Sequence, residues 1–369
     1  MENVKKNIFL FIIWNNAYSQ KDRILEDIHS AFHVLKTMEI QWSAENFNNN
    51  LNRFYGIKLP KNSFKEKACG TGPFTLVVYE DESPLYEDRK TTRGTMERVN
   101  IHSFDKKAMY RKWTTLPSGN NCLHGTNTPE ETEHDLTLLT GMCPEDFIEK
   151  NEELPDFIEM DLVGAKQWNS FNELFYVLNH TCTYCMMRNF ESVPDSFTQD
   201  GHDDIDLLAE NYEEIQRICN AVPVFRYKYR VHNECLIDGK KVLFDFRFLG
   251  DGYYDKEWER KILDTRELFH GVYIPDSSNY PYMILYHALV QKRSIADNYT
   301  DILNRLFGQG KWNRELLVSF LKDNGYSFSE PADISVFYNE EVTGKKMSLP
   351  RKLKIFFRRV RRKLFNDRG

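Results

Sequence analysis

The hydrophobic and polar positions of the first half of the chain predict strands and helices in alternation. Short, continuous apolar runs at residues 7–14 and 72–81 are typical of buried strands. Between them, apolar residues at helical spacing predict a helix over 22–38, and a strand follows at 39–42. This order favours an α/β (α+β) domain, which we place at residues 1–150 and to which we assign donor or acceptor binding without choosing between them.

One helix of this domain has a full set of terminal signals. Thr128 fits the N-cap, Pro129 the first helical position, Glu131 the reciprocal position of a capping box, and Gly141 the stop. Because a helix N-terminus attracts anions, the loop before it could contact a phosphate. The candidate residues in that loop are His124, Thr126 and Asn127. A capped surface helix without a ligand would explain the same pattern.

The second half begins after an acidic stretch with two prolines, residues 143–160, which predicts a linker. A capping box that starts at Ser170 opens a new helix, and Asp238-Gly239 between apolar runs is a strong signal of a β-hairpin. Further helical patterns follow. We therefore predict a second domain at 160–330, a mixed sheet flanked by helices.

Composition and charge restrict the function classes. With 41% hydrophobic and 28% charged residues, the chain is expected to fold rather than to be disordered. The net charge is −6, but the last 19 residues carry +8, so the first 350 carry −14. An acidic body of this kind is not expected to bind nucleic acid. No apolar run is long enough to span a bilayer, and the run at 7–14 fits a strand better than an export signal, so we expect a cytoplasmic protein.

The seven cysteines are odd in number, which fits free thiols in a reducing compartment. Cys182 and Cys185 form an isolated CxxC. Two interpretations stay open for this pair: buried thiols on a helix, or two ligands of a zinc ion.

The C-terminal segment, residues 345–369, is basic and amphipathic if it is helical. Its apolar stripe consists of Leu353, Phe356, Phe357, Val360 and Leu364. Around it lie Arg358, Arg359, Arg361, Arg362 and Lys363. This pattern favours a helix on an anionic membrane surface, which would place the protein peripherally on the inner face of the cell membrane. A disordered solubilising tail or a nucleic-acid arm is the alternative.

Carboxylates supply the candidate chemistry. In a strand, Asp204 and Asp206 project from one face, and Asp245 interrupts an apolar run at 242–246. Carboxylates side by side repel unless a cation lies between them, and hard cations such as Mg²⁺ or Mn²⁺ prefer these oxygens. Arg247, two residues beyond Asp245, could instead be its ion-pair partner.

Three segments resemble the DNA polymerase β-like nucleotidyltransferase superfamily, and within it the branch of LicD and fukutin-related proteins. They are RNFESVP (188–194), DDIDLL (203–208) and LFDFR (243–247), and the likeness covers about residues 165–310. It implies a nucleotidyltransferase-like fold. It also implies transfer of phosphocholine or ribitol phosphate from a CDP-linked donor to a glycan.

The resemblance also implies roles for individual residues. Asp204 and Asp206 would hold the metal, and Asp245 would complete its shell or accept a proton from the attacking hydroxyl. The superfamily's phosphate-cradling Gly-Ser turn is missing, and Arg188 and Asn189 stand in that region. Further candidate contacts to substrate or phosphate are Arg247, His287 and Lys292. His287 could equally be a core histidine.

The sequence thus predicts a metal-dependent transferase that moves a phosphoryl-alcohol from a CDP-activated donor to a sugar hydroxyl in surface polysaccharide synthesis. The acceptor would be a glycan or a lipid-linked glycan. Two alternatives remain: a glycosyltransferase whose Asp-x-Asp binds the metal of a nucleotide sugar, and a catalytically silent binding module.

Overall fold

The computed structural model describes residues 7–91, 94–191, 204–225 and 232–366, and the chain has a mixed α+β architecture. It divides into two compact units, Met1–Asn169 and Ser170–Gly369. Asp203 and residues 192–194, which belong to segments of the resemblance, lie outside the described residues.

The first unit contains strands and helices in alternation. In chain order they are β1 (Ile8–Ile13), α1 (Lys21–Ala31), β2 (His33–Gln41), α2 (Phe47–Tyr55), α3 (Phe64–Cys69), β3 (Phe74–Glu80), β4 (Tyr86–Lys90), β5 (Met96–Asn100), α4 (Ile101–Trp113), β6 (Leu123–Gly125), α5 (Pro129–Thr140), α6 (Pro144–Lys150) and β7 (Phe157–Glu159), with 3₁₀ turns at Asn15–Gln20 and Asn151–Glu153. The main sheet has the order β6-β1-β3-β2-β7. All six residues of β1 are buried, as its continuous apolar run predicts.

Two predictions for this unit are wrong. The helix predicted over 22–38 ends at Ala31, and β2 begins at His33 because the chain pairs there with β3 and buries Met38 and Ile40. Pairing with a neighbouring strand has overridden the helical spacing. The stretch 143–160 is not a linker, since it forms α6 and then β7, which pairs in parallel with β2.

The N-cap residues and the Gly141 stop are confirmed, whereas the reciprocal bond to Glu131 comes from Asn127 and not, as a capping box requires, from the N-cap Thr128. Thr128 accepts a hydrogen bond from the Glu131 backbone N–H (3.1 Å), and Gly141 ends α5 in the left-handed conformation. The Glu131 carboxylate accepts from the Asn127 N–H. In the second unit, Ser170 accepts from the Glu173 N–H at 3.1 Å.

The second unit combines one mixed sheet with a helical layer. Its elements are α7 (Phe171–Thr181), β8 (Tyr184–Met186), β9 (Asp204–Ala209), α8 (Tyr212–Ile218), β10 (Val222–Pro223), β11 (His232–Ile237), β12 (Lys240–Phe248), α9 (Lys256–Asp264), β13 (Glu267–Phe269), β14 (Val272–Ile274), α10 (Tyr280–Val290), α11 (Asp297–Phe307), α12 (Arg314–Asp323), α13 (Glu340–Thr343) and α14 (Leu349–Asn366). The sheet order is β10-β11-β12-β9-β8, and β9 and β12 are parallel.

The predicted hairpin is confirmed as β11 and β12. Asp238 (φ 47°) and Gly239 (φ 71°) both adopt the left-handed conformation, which a type I′ hairpin turn requires. Trp258 of α9 and Tyr286 of α10 are buried in the apolar cluster that α9, α10, α11 and α12 share. Cys185 of β8 and Leu208 of β9 belong to the same cluster, which therefore packs the helices against the sheet.

The cysteines are free thiols. Cys185 lies in β8 rather than on a helix, and burial raises its pKa well above the usual range. In the described part of the chain, neither Cys182 nor Cys185 belongs to a group of three metal-ligating side chains.

Candidate metal site in the second unit

Three neighbouring strands bring four polar side chains to one face of the sheet. Asp245 of β12 is paired with Asp206 of the parallel strand β9 and with His232 of the antiparallel strand β11. Paired residues on adjacent strands point to the same side, and so do residues two apart on one strand. Asp204, two residues before Asp206, therefore shares this face.

A divalent cation fits three of these side chains. Ligand atoms of Asp204, His232 and Asp245 all lie within 4.8 Å of one another. Oxygen or nitrogen atoms on opposite sides of an ion are about 4–5 Å apart when each bond is 2.0–2.5 Å long, so the spacing suits one ion. Asp204 and His232 are partly exposed, whereas Asp245 is 6% exposed and its Oδ1 contacts His232 Nδ1. The cluster is thus reachable from solvent on one side.

Asp206 lies apart from this group of three. Its side chain is 4% exposed, and Arg188 Nη2 lies 2.7 Å from its Oδ1 without the alignment of a hydrogen bond. The structure therefore brings Asp204 and Asp245 together as the sequence predicts, but it groups His232 with them and pairs Asp206 with Arg188.

The electrostatics of Asp206 and Asp245 differ. Burial raises the pKa of Asp206 to about 6; the Arg188 charge opposes this shift, and the carboxylates of Asp245 and Asp204 add to it. At Asp245 burial also acts to raise the pKa, but the hydrogen bond from His232 and the charge of Arg247 hold it below its usual value. At Arg188 burial lowers the pKa, and the Asp206 charge more than offsets it. Negative charge is thus crowded here, as it is in many cation sites.

The pKa of Asp206 predicts a stability change that Asn at this position should remove. The folded protein holds the proton of the Asp206 carboxyl more tightly than the unfolded chain does. The protonated carboxyl therefore contributes fully to the free energy of unfolding below about pH 4, and this contribution is lost as the pH rises through about 6. The loss amounts to at most about 3 kcal/mol.

Denaturant titrations of the wild type and Asp206→Asn between about pH 4 and pH 7 measure this effect. The difference in unfolding free energy, wild type minus variant, should fall as the pH rises. A difference that stays constant or grows would contradict the assigned shift.

Arg247 lies in the interior rather than at the open side of the cluster. It is 4% exposed, and its guanidinium lies 3.6 Å from Asp245, 3.8 Å from Asp251 and 3.7 Å from Asp333. The guanidinium also covers the Tyr253 ring, 4.5 Å from its centre. The ion pair between Arg247 and Asp245, which the sequence offered as the alternative role of Arg247, is therefore present in the structure. A phosphate contact by Arg247 has no support in the structure.

His287 belongs to a buried polar chain that starts at Arg188. Arg188 Nη1 donates to the Tyr253 hydroxyl (3.2 Å), which lies 3.0 Å from His287 Nδ1, and Gln291 Oε1 lies 3.0 Å from the same nitrogen. Burial and the Arg188 charge hold the pKa of His287 well below its usual range, so its ring is neutral. This environment is that of a core histidine, and a phosphate contact by His287 stays a prediction.

Two further candidates lie nearer the surface. Lys292 is partly exposed, and its pKa is lowered by burial and by the Arg188 charge, while the Asp206 and Asp204 charges act in the opposite direction. It is therefore close enough to the cluster for a charge interaction. Asn189 is exposed and has a left-handed backbone (φ 56°) directly after Arg188.

The three candidates of the first unit have partners within that unit. His124 Nε2 lies 2.7 Å from Asp135 Oδ2. Thr126 is fully buried and accepts from the Leu10 N–H (3.1 Å), and Lys107 donates to Asn127 Oδ1 (3.0 Å). These contacts give the loop a structural role, and its phosphate contact stays a prediction.

Sequence reasoning missed His232, although the hairpin could have identified it. In a two-residue hairpin, residues equally distant from the turn are paired. His232 lies six residues before Asp238 and Asp245 six after Gly239, and the structure pairs them accordingly. Counting outward from the turn would have added His232 to the candidates.

Comparisons with known proteins do not extend this assignment. No protein-family model and no curated protein sequence matches the chain. The candidate site therefore rests on its own geometry and chemistry.

Proposed function

We propose that the protein is a metal-dependent transferase that moves a phosphoryl-alcohol from a CDP-activated donor to a sugar hydroxyl in the synthesis of surface polysaccharide or a teichoic-acid-like polymer. The transferred group would be glycerol phosphate, ribitol phosphate, phosphocholine or a similar group. The observation that carries the proposal is the convergence of Asp204, His232 and Asp245 from three adjacent strands, beside Arg188. The segments that resemble nucleotidyltransferases contribute two of these ligands and the arginine.

The residues present suit phosphoryl transfer. A bound Mg²⁺ or Mn²⁺ would neutralise donor phosphate oxygens and polarise the phosphorus. Arg188 and Lys292 place positive charge beside the carboxylates, where a donor phosphate would need it. Asp245, whose pKa is held low, is ionised at neutral pH, as a ligand of a divalent cation must be.

Analysis of the released nucleotide tests the proposal. Transfer of a phosphoryl-alcohol breaks the pyrophosphate bond of the donor and releases CMP, whereas glycosyl transfer from a nucleotide sugar breaks the sugar–phosphate bond. The purified protein, with Mg²⁺ or Mn²⁺ and a glycan acceptor, should release CMP from CDP-glycerol, CDP-ribitol or CDP-choline and form a phosphodiester. Release of a nucleoside diphosphate from a nucleotide sugar would favour a glycosyltransferase. Failure to bind or turn over any donor would favour a silent module.

We place this reaction on the inner face of the cell membrane, at a lipid-linked glycan acceptor. α14 exposes apolar side chains to solvent, among them Leu353 (47%), Phe356 (58%) and Phe357 (64%). Its N-terminal turn is fixed to the second unit by Arg351, which is buried and donates to the backbone carbonyls of Pro331 and Val336. No helix in the described residues combines the length and apolar character needed to cross a membrane. An anchored, basic, amphipathic helix suits an anionic lipid surface rather than a membrane crossing.

Replacing Phe356 and Phe357 by Ser should weaken binding to vesicles that contain anionic lipid by at least ~10²-fold. Each phenylalanine that leaves the bilayer interface loses about 1.5–3 kcal/mol of burial. Cosedimentation measures the partition, and Phe64→Ser is a matched control because Phe64 of α3 is 61% exposed. Equal binding of the double variant, or preference of the wild type for RNA over vesicles, would refute the lipid assignment.

A further inference from the structure

His232 distinguishes the candidate site from one made of carboxylates alone. We propose that His232 ligates the cation, and that the site therefore prefers Mn²⁺ or a related first-row transition ion to Mg²⁺. This inference deepens the proposed function and rests on it for the presence of a bound cation. The inference specifies the preferred ion and adds an imidazole nitrogen to the carboxylate oxygens as a ligand.

The strand register places His232 beside Asp245. His232 is paired with Asp245 across the β11–β12 ladder, and its Nδ1 contacts Asp245 Oδ1. The imidazole is therefore held next to a carboxylate oxygen, where a cation would replace the proton between Nδ1 and Oδ1, and Asp204 reaches the same point from β9. His232 is partly exposed and its ring also contacts Phe225, with ring centres 5.8 Å apart.

The pairing of Asp206 with Arg188 makes Asp206 an unfavourable third ligand. A site of three carboxylates would need Asp206, but its Oδ1 faces Arg188 Nη2 at 2.7 Å and its side chain is 4% exposed. Recruiting Asp206 would separate a buried ion pair, which is costly. His232 needs no such rearrangement, so the third protein ligand of the existing geometry is a nitrogen.

A nitrogen ligand favours a transition ion over Mg²⁺. Mg²⁺ favours oxygen ligands and gives up its water reluctantly, whereas imidazole suits transition ions. With two carboxylates and an imidazole, which carries no negative charge, the site offers less negative charge to a hard ion than three carboxylates would. Among the ions available for a test, Mn²⁺ is the most informative because it is paramagnetic and still accepts carboxylates.

The test measures Mn²⁺ and Mg²⁺ affinities by calorimetry and nitrogen coupling to bound Mn²⁺ by pulsed electron paramagnetic resonance, with natural-abundance and ¹⁵N-histidine protein. The wild type should bind Mn²⁺ at least ~10-fold more tightly than Mg²⁺. It should also show a nitrogen coupling that changes with the ¹⁵N label. His232→Asp, which restores a carboxylate, should lose the coupling and reduce the preference to less than ~3-fold. His29→Asp, at an exposed position of α1, should behave as the wild type.

The outcomes separate this inference from the proposed function. Mn²⁺ binding without nitrogen coupling, or equal affinity for the two ions, would overturn the role of His232 and leave a carboxylate site and phosphoryl transfer intact. Absence of binding by either ion would refute both. If His232→Asp fails to fold, the coupling in labelled wild-type protein still decides between the ligand role and a role in orienting Asp245 alone.

Discussion

Replacing Asp204 by Asn is expected to lower the rate of transfer by at least ~10³-fold, which corresponds to about 4 kcal/mol of transition-state stabilisation. The carboxylate of Asp204 is partly exposed and converges with His232 and Asp245, so its charge would serve the proposed cation rather than the fold. The free energy of unfolding should change by less than about 1 kcal/mol. CMP release and denaturant titration measure the two effects.

Asp238→Asn is the matched control for this experiment. It makes the same chemical change on the same sheet, at an exposed turn residue with φ 47°, a conformation that Asn tolerates well. It should leave both the rate and the stability unchanged. If Asp204→Asn keeps more than about a tenth of the wild-type rate, Asp204 is not a ligand of an essential cation.

Replacing Arg188 by Met is expected to destabilise the second unit by about 3–5 kcal/mol at neutral pH, because it leaves the Asp206 charge buried without its partner. Replacing both residues, as Arg188→Met with Asp206→Asn, should recover more than half of that loss, since no buried charge is then left unpaired. Chemical denaturation of the four proteins of this cycle gives the coupling energy.

The pH adds a second check on the Arg188–Asp206 pair. Since the pKa of Asp206 is raised to about 6, protonation at pH 5 should reduce the cost of losing Arg188. Purely additive effects in the double variant, or a loss below about 1 kcal/mol for Arg188→Met, would show that the pair contributes little. Asp206→Asn alone alters this buried ion pair, so its effect on transfer does not by itself identify Asp206 as a metal ligand.

Local signals in the sequence predicted much of the fold. The buried runs at β1 and β3, the caps at Thr128 and Ser170, and the Asp238-Gly239 hairpin depend on residues close together along the chain. The boundary between α1 and β2 was missed because pairing with β3, a distant segment, decides it. β7 was missed for the same reason, since its partner β2 lies more than 100 residues away.

The candidate site shows the same division between local and distant information. Strand alternation correctly places Asp204 and Asp206 on one face, and the hairpin contains enough information to pair His232 with Asp245. The parallel register of β9 and β12, which sets Asp206 beside Asp245, has no local signal. The ion pair between Asp206 and Arg188 has no local signal in the sequence either, because it depends on the packing of Tyr253 and its neighbours.

Anomalous scattering from a crystal of the protein soaked in Mn²⁺ tests the central claim most directly. We expect one manganese peak between Asp204, His232 and Asp245, each within bonding distance of the ion, and its loss in Asp204→Asn. A peak elsewhere in the second unit, or no peak at a Mn²⁺ concentration that supports transfer, would contradict it.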